Sequence, residues 1–315
     1  MDTTIAGVAY SLGEDAHDWD ELPDVDGALT RAGLSREPEL WGWGQYRRTR
    51  GLPVDLAVAS ARRTLAETGV IPGDIDAVLL CAAVFPGGVD EHRADTHRFL
   101  NSLGLDHAPL LGLTLSRCAT LVCGIRLADD MLASGRYRHI LVASFDAIRD
   151  EHARLASFAL FSDAGASCLL SREPLPGYRL VASVAAMQAT AGASDGLDAG
   201  GRLAAQANRQ LSHARLQPSQ LDKVCHDNLF LPILSMREQM AGFARPQLYL
   251  DNVPRLGHCF GCDPLINLAD HAASAPLPDG ALLGVYSGTP GVRAGLVLQA
   301  RGASAVRPSQ SRSLS

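Results

Sequence analysis

Short apolar runs alternate with segments of helical period along most of this 315-residue chain. That alternation predicts an α/β fold, and three observations carry the prediction. Ile75–Ala83 (IDAVLLCAA) is a continuous apolar run of strand length, as expected of a sheet buried on both faces. Val54–Thr68 places Val54, Leu56, Ala57, Val58, Ala61 and Leu65 on a helical period. The second half then repeats the first. Leu65-x6-Pro72-x3-Asp76-x-Val78 recurs as Leu211-x6-Pro218-x3-Asp222-x-Val224, every identity at the one spacing of 146 residues. A helix end, a proline turn and a strand thus occur twice in the same order, which predicts an internal duplication.

The elements follow in order. Thr4–Tyr10 reads as the first strand, followed by a polar stretch to about residue 54 that holds Trp41, Trp43 and Tyr46. The helix over 54–68 stops at Gly69. After the strand at 75–83, His92–Leu103 is helix-like, Pro109–Leu115 a buried strand, Cys118–Ser134 a helix and His139–Ser144 a strand. Leu110–Cys118 pairs with Leu250–His258 as strand and turn before a helix, and His139–Ser144 pairs with Ala281–Tyr286 as strand. The reading divides the chain into halves 1–172 and 173–302, with a polar, disordered tail at 303–315.

Composition narrows the function classes. Lys and Arg number 28 against 34 Asp and Glu, a net charge of −6, and 47% of residues are hydrophobic. A disordered chain is excluded, since it needs low hydrophobicity and high net charge. The acidic balance argues against nucleic acid, whose binders cluster Lys and Arg on phosphates; Lys223 is the single lysine. No apolar run approaches the roughly 18 residues of a membrane span. No export signal is read after Met1-Asp2, so a cytoplasmic protein with reduced cysteines is expected.

Cys118 is the sharpest chemical feature. It stands where a strand meets the start of an apolar helix. There the helix dipole favours a thiolate, and unpaired backbone N–H groups can stabilise an oxyanion. Position alone leaves the alternative of a buried structural thiol.

The surrounding motifs resemble the ketoacyl-ACP synthase III family of the thiolase superfamily. Ser134-Gly135-Arg136-Tyr137-Arg138-His139-Ile140-Leu141-Val142 is similar to that family's SGRYRNVLV segment, and Phe161-Ser162-Asp163-Ala164-Gly165-Ala166 to its FGDGAGA strand. Cys225-His226-Asp227-Asn228 resembles its PHQAN turn, and Asn252–Leu268 its segment ending GNTSAASIPLAL. The motifs occur in the family's order over residues 4 to 300. The resemblance implies a thiolase-like, five-layered αβαβα fold of two duplicated halves. It implies Cys118 as nucleophile, His226 as base or hydrogen-bond donor, and His258 where the family has Asn. It also implies an oxyanion hole of the Cys118 N–H and a glycine N–H of the C-terminal turn. Pro290 lacks an N–H, so the hole is lost if Pro290 falls on that site, while a shift of one or two residues puts Gly288 or Gly291 there; the register is open.

Several departures and alternatives accompany the resemblance. Arg117 replaces a small residue before the nucleophile, either favouring the thiolate or turning to solvent. His258 is able to donate a hydrogen bond as the family's Asn does, but it is also able to act as a base. Cys225, His226, His258, Cys259 and Cys262 also offer a zinc site, and Cys259 with Cys262 a redox disulfide; packing thiols are the plainer reading. Arg126, Arg136, Arg138, Arg202, Arg209 and Arg215 are candidates for a basic rim facing an acidic carrier. Arg237 is the nearest match to the family's arginine after the PHQAN turn, and Phe85 falls where a dimer partner contributes a pocket wall.

What the resemblance implies is a ketosynthase III-like acyltransferase. An acyl-ACP or acyl-CoA thioester loads Cys118, and a second substrate takes the acyl group, by ping-pong kinetics. Decarboxylative condensation with a malonyl thioester is the leaning. Transfer to a hydroxyl or amine, or an idle partner subunit of a heteromeric ketosynthase, are the alternatives. Neither metal nor organic cofactor is required beyond the thioester substrate, and the implied assembly is a homodimer with no membrane partner.

Overall fold

The computed structural model describes residues 2–189, 196–274 and 276–301; the tail predicted at 303–315 lies outside them. In chain order, the strands are β1 (Thr4–Leu12), β2 (Asp15–Asp18), β3 (Gln45–Arg48), β4 (Ala77–Cys81), β5 (Leu110–Leu113), β6 (His139–Asp146), β7 (Ala164–Ser171), β8 (Gly177–Met187), β9 (Lys223–Cys225), β10 (Leu282–Thr289) and β11 (Val292–Arg301). The helices are α1 (Val25–Ala32), α2 (Pro38–Trp41), α3 (Pro53–Thr68), α4 (Val89–Leu103), α5 (Thr120–Ala133), α6 (Gly196–Asn208), α7 (Leu231–Met240), α8 (Asn252–Leu256) and α9 (Asp263–Ser274).

The strand order shows the duplication directly. One half runs β5-β4-β6-β7-β1 and the other β8-β11-β10-β9, joined where Thr4 and Ile5 of β1 pair with Arg179 and Tyr178 of β8. In the first half β4 lies parallel to β5 and β6, and β7 is antiparallel to β6 and β1. In the second, β9 is parallel to β10, β11 is antiparallel to β10 and β8, and a parallel bridge from Val224 to Leu248 stands in for β5. The repeated proline turns fall on equivalent 3-10 turns, Pro72–Asp74 before β4 and Pro218–Gln220 before β9.

Burial explains the layers. Strands β4 and β6 are buried at every position, so both faces must be covered by helices. Three apolar clusters do this. Leu121, Val122, Ile125 and Leu132 of α5 and Leu265, Ile266 and Leu268 of α9 fill the space between the two half-sheets. Helices α3 and α4 cover the first half-sheet from outside through Val54, Ala57, Ala61, Phe99 and Leu103. Helix α6 covers the second through Leu203, Ala204 and Ala207. The result is the five-layered αβαβα arrangement. Helix α5 buries the stripe Leu121, Val122, Ile125, Ala128 and Leu132 and leaves Asp130 exposed on its other side. Gly124 lets it approach β4, since a Cβ there would stand 2.8 Å from Cys81 Sγ.

One local expectation is corrected. Residues 109–115 were read as a buried strand, but β5 is the half-exposed edge of the sheet; Leu111 is 44% and Leu115 95% exposed. The apolar run looked buried because period alone does not distinguish a central strand from an edge. The polar stretch before residue 54, to which the sequence assigned no elements, is structured. It holds α1, α2 and the β2–β3 hairpin, whose Tyr46 and Trp43 pack with Trp19 and Phe230.

The hairpin is tied to the main body by a buried ion pair. Arg154 is 0% and Asp163 1% exposed, with Nη1 2.9 Å from Oδ1. Asp163 also accepts the Thr49 and Ile148 N–H groups, and Arg154 lies over the Tyr46 ring. Removing one member of such a pair strands a buried charge, so Arg154→Ala is expected to lower stability by about 3–5 kcal/mol in denaturant melts. A loss below about 1 kcal/mol would show that the pair does not hold this corner.

Candidate active site

The middle layer brings two helix starts together. Cys118 lies in the 3-10 turn Arg117–Ala119 immediately before α5. Arg117 is exposed and left-handed at φ 48°, a conformation uncommon outside glycine, and it turns its side chain to solvent. Opposite, His258, Cys259 and the 3-10 turn Phe260–Cys262 lead into α9, which starts at Asp263. Gly261 permits the approach, since a Cβ there would stand 2.9 Å from the Cys118 carbonyl oxygen.

His258 is fixed from both sides. Its N–H donates to Leu160 O at 2.7 Å, and its carbonyl accepts the Ser162 N–H at 2.9 Å. The ring is 1% exposed and packs against Phe161 and Phe260. Nε2 stands 3.5 Å from Cys118 Sγ, and Nδ1 stands 2.5 Å from Asp263 Oδ2. Since a carboxylate only accepts, Nδ1 carries a proton and Nε2 is aimed at the thiol.

Asp263 is itself held by donors. It accepts Asn228 N–H at 2.7 Å, Cys259 N–H at 2.7 Å and Asn228 Nδ2 at 3.1 Å, besides His258. Asn267 Nδ2 in turn reaches Asn228 Oδ1 and the His226 carbonyl. Burial pushes the Asp263 carboxyl up, and burial alone would push the His258 imidazolium down. The donors around the carboxylate and the dipole of α9 favour the charged pair. His258 therefore rises well above its usual range, with Asp263 outweighing the burial.

His226 lives in the opposite environment. It is 0% exposed, and Nδ1 donates to Asp227 O at 3.0 Å. Burial lowers its pKa, so the ring is neutral, and Nε2 is a lone pair with no hydrogen-bond partner among the described residues. It follows β9, whose Cys225 pairs with Val285 of β10. Two residues further along β10, Ser287 Oγ contacts the Cys118 carbonyl at 2.8 Å. Cys118 and His258 thus meet directly, and His226 is linked to them through Asp227, whose carboxylate holds the Ser287 hydroxyl that reaches the Cys118 carbonyl.

Other sequence expectations are corrected. The Gly288 N–H donates to Asp227 Oδ2 at 2.9 Å and is not free for an oxyanion. Gly291, at φ 82°, sits with Pro290 in the β10–β11 turn, and its carbonyl binds Gln188 N–H. Arg237 is 8% exposed and engaged by Asp227 and Glu238, so it does not face a substrate phosphate. Arg136 and Arg138 follow the C-terminal end of α5, a 14-residue helix, about 21 Å from its start. Arg126 lies on that helix, while Arg202 and Arg209 belong to α6 and its continuation and Arg215 to the turn after it. Phe85 is half-buried and meets Phe145 and His92 of its own chain edge-on. Cys259 and Cys262 are separate buried thiols, both pushed well up by burial. Among the described residues, no group of three His, Cys, Asp or Glu side chains could hold a metal ion. An open cleft of about 730 Å³ lined by Trp19, Glu39, Trp43 and Asp251 contains none of Cys118, His226 and His258.

Sequence reasoning missed Asp263. The available signal was an acid five residues after His258, at the first position of a helix, where carboxylates favour the dipole.

A family model for 3-oxoacyl-[acyl-carrier-protein (ACP)] synthase III matches residues 114–189, the segment that carries Cys118. Over that segment the chain is similar to ketoacyl-ACP synthase III. The β-ketoacyl-[acyl-carrier-protein] synthase III of Rickettsia akari is 29% identical over 120 residues, and that of Rickettsia massiliae 28% over 120 residues. These matches span 37% of this chain and only 36% of each relative's length. Among solved structures, ChlB3, described as an acyltransferase, superposes with a TM-score of 0.83 at 18% identity, covering 98% of this chain and 100% of that one. Synthase III from Pseudomonas aeruginosa PAO1 gives 0.78 at 18%, covering 96% and 99%. An OleA variant from Xanthomonas campestris gives 0.79 at 15%, covering 95% and 98%. The chain thus has the fold of these enzymes, thiolase-like, along nearly its whole length.

The Asp263–His258 pair makes two predictions. Asp263→Asn keeps the shape but removes the charge that holds His258 protonated. Iodoacetamide alkylation of Cys118 at pH 7 is expected to slow by about a hundredfold; an unchanged rate would remove Asp263 from the site. The second concerns stability. The folded value of His258 is raised above the unfolded value of about 6.5. Its contribution is then complete below that pH and is lost as pH rises through the folded value. The stability gap between wild type and Asp263→Asn is expected to be wider at pH 6 than at pH 9, and a gap that widens with pH would contradict the charged pair.

Proposed function

We propose that this synthase III-like chain carries an acyl group on Cys118 and transfers it to a hydroxyl or amine without decarboxylation. The observation that carries the reading is the relay from Cys118 Sγ to His258 Nε2 and from His258 Nδ1 to Asp263. A histidine backed by a carboxylate is a base, as in Cys–His and Ser–His nucleophile systems.

In the first half-reaction, Cys118 attacks the thioester carbonyl as the thiolate of an ion pair with the His258 imidazolium, whose Nε2–H faces Sγ. The tetrahedral oxyanion collapses, the C–S bond to the donor breaks, and the leaving thiolate takes a proton from His258. The Cys118 N–H is the proposed oxyanion donor. In the second half-reaction, the acceptor O–H or N–H gives its proton to a histidine as its oxygen or nitrogen attacks acyl-Cys118. The new ester or amide leaves, and Cys118 departs as thiolate.

Condensation is less well supported. It needs two hydrogen-bond donors at the enolate oxygen; the His258 imidazolium supplies one, but the neutral His226 presents a bare Nε2 lone pair. An idle subunit would have no use for a complete relay. The donor is an acyl-CoA or an acyl carrier protein thioester. A homodimer across the edge strand β5 would cover the exposed Leu111 and Leu115.

Intact-protein mass spectrometry with acetyl-CoA tests the reading. One acyl mass should add to the wild type and none to Cys118→Ala, and ethanolamine should discharge the adduct without CO2. Failure to acylate would overturn the enzyme reading. CO2 release from malonyl-CoA on the acylated protein would replace transfer with condensation.

A further inference from the structure

Behind the site lies a buried charged cluster that the relay does not use. Asp227 is 0% exposed and gathers four elements of the site. Its Oδ2 accepts the Gly288 N–H at 2.9 Å and Arg237 Nη1 at 3.0 Å. Its Oδ1 lies 2.5 Å from Ser287 Oγ, and its carbonyl accepts His226 Nδ1–H. Arg237 also donates from Nε to Glu238 Oε1 at 2.8 Å. Glu238 is held down to about 2, against its own burial, by Arg293 and Arg237. Arg293 donates to both its oxygens, at 3.0 and 2.7 Å. Two cations and two anions therefore close a neutral, buried set between α7 and the β10–β11 hairpin.

Ser287 links this set to the nucleophile. It is 0% exposed, and its hydroxyl reaches the Cys118 carbonyl at 2.8 Å as well as Asp227. Both partners are acceptors, so the single hydroxyl proton is shared between them. Cys118 sits in a tight turn after a left-handed residue, and such a turn keeps its geometry only where neighbours over-determine it.

We infer that Ser287 is a positioning residue, anchored by Asp227, that clamps the Cys118 carbonyl and so aims Sγ at His258. Through its carbonyl, the same Asp227 fixes the tautomer of His226. One buried carboxylate thereby sets the nucleophile and the second histidine in a common frame. The inference rests on Cys118 as nucleophile and is independent of which acceptor takes the acyl group.

The test is the second-order rate of Cys118 alkylation by iodoacetamide at pH 7, followed by peptide mass, in wild type, Ser287→Ala and Ser287→Thr, with thermal midpoints alongside. Ser287→Ala should be slower by roughly tenfold, about what loss of one anchoring hydrogen bond allows. Ser287→Thr keeps the hydroxyl and should stay within about threefold of wild type, and the midpoint of Ser287→Ala should match wild type closely. A wild-type rate in Ser287→Ala would overturn the inference. So would a Ser287→Thr rate as slow as Ser287→Ala, which would assign the effect to volume. Because the reagent is not an acyl donor, the result is readable whether or not the protein transfers acyl groups.

Discussion

The carboxylate of Asp263 sits at the start of a helix that both half-sheets enclose, with no exposed surface of its own. A charge in that position is tolerable only if it is fully hydrogen-bonded and paired. Asn228 and Cys259 supply backbone and amide donors, and His258 supplies the cation. Those donors fix where α9 begins, which way the His258 ring faces and how closely the turn before α9 approaches Cys118. Chemistry and architecture therefore share one constraint: neutralising this anion aims a base at the nucleophile.

The two histidines then divide by environment. His258 has a carboxylate behind it and rises; His226 has only a carbonyl and burial, and falls. Groups pushed apart in this way take different protons in a reaction. Asp227 and Asp263 are near in sequence to these histidines yet serve differently. Asp263 acts on a ring through its carboxylate. Asp227 spends its carboxylate on Ser287, Gly288 and Arg237 and touches His226 only through its carbonyl.

Much of this was legible in the sequence. The apolar runs at β4 and β6 and the helical period of α3 were visible because both faces or one stripe are buried, and burial writes itself into residue type. The repeat at 146 residues was visible because proline turns before β4 and β9 need the same residues. Cys118, His226 and His258 were found through motif order. Asp263 was missed because a short carboxylate at a helix start reads equally as a cap, and only the folded chain shows what it faces. Gly288 was assigned to an oxyanion hole because a glycine's N–H carries no mark of its partner; Asp227 lies 61 positions away. The edge position of β5 was hidden because its residues are as apolar as those of a central strand.

The central claim is that His258 rests as an imidazolium held by Asp263 beside Cys118. The most direct measurement is the 15N chemical shift of histidine-labelled protein at pH 7.5, with His258 assigned by the signals lost in His258→Asn. The account predicts two protonated ring nitrogens for His258, while His226 shows one protonated nitrogen and one bare one. A neutral His258 at that pH would contradict it.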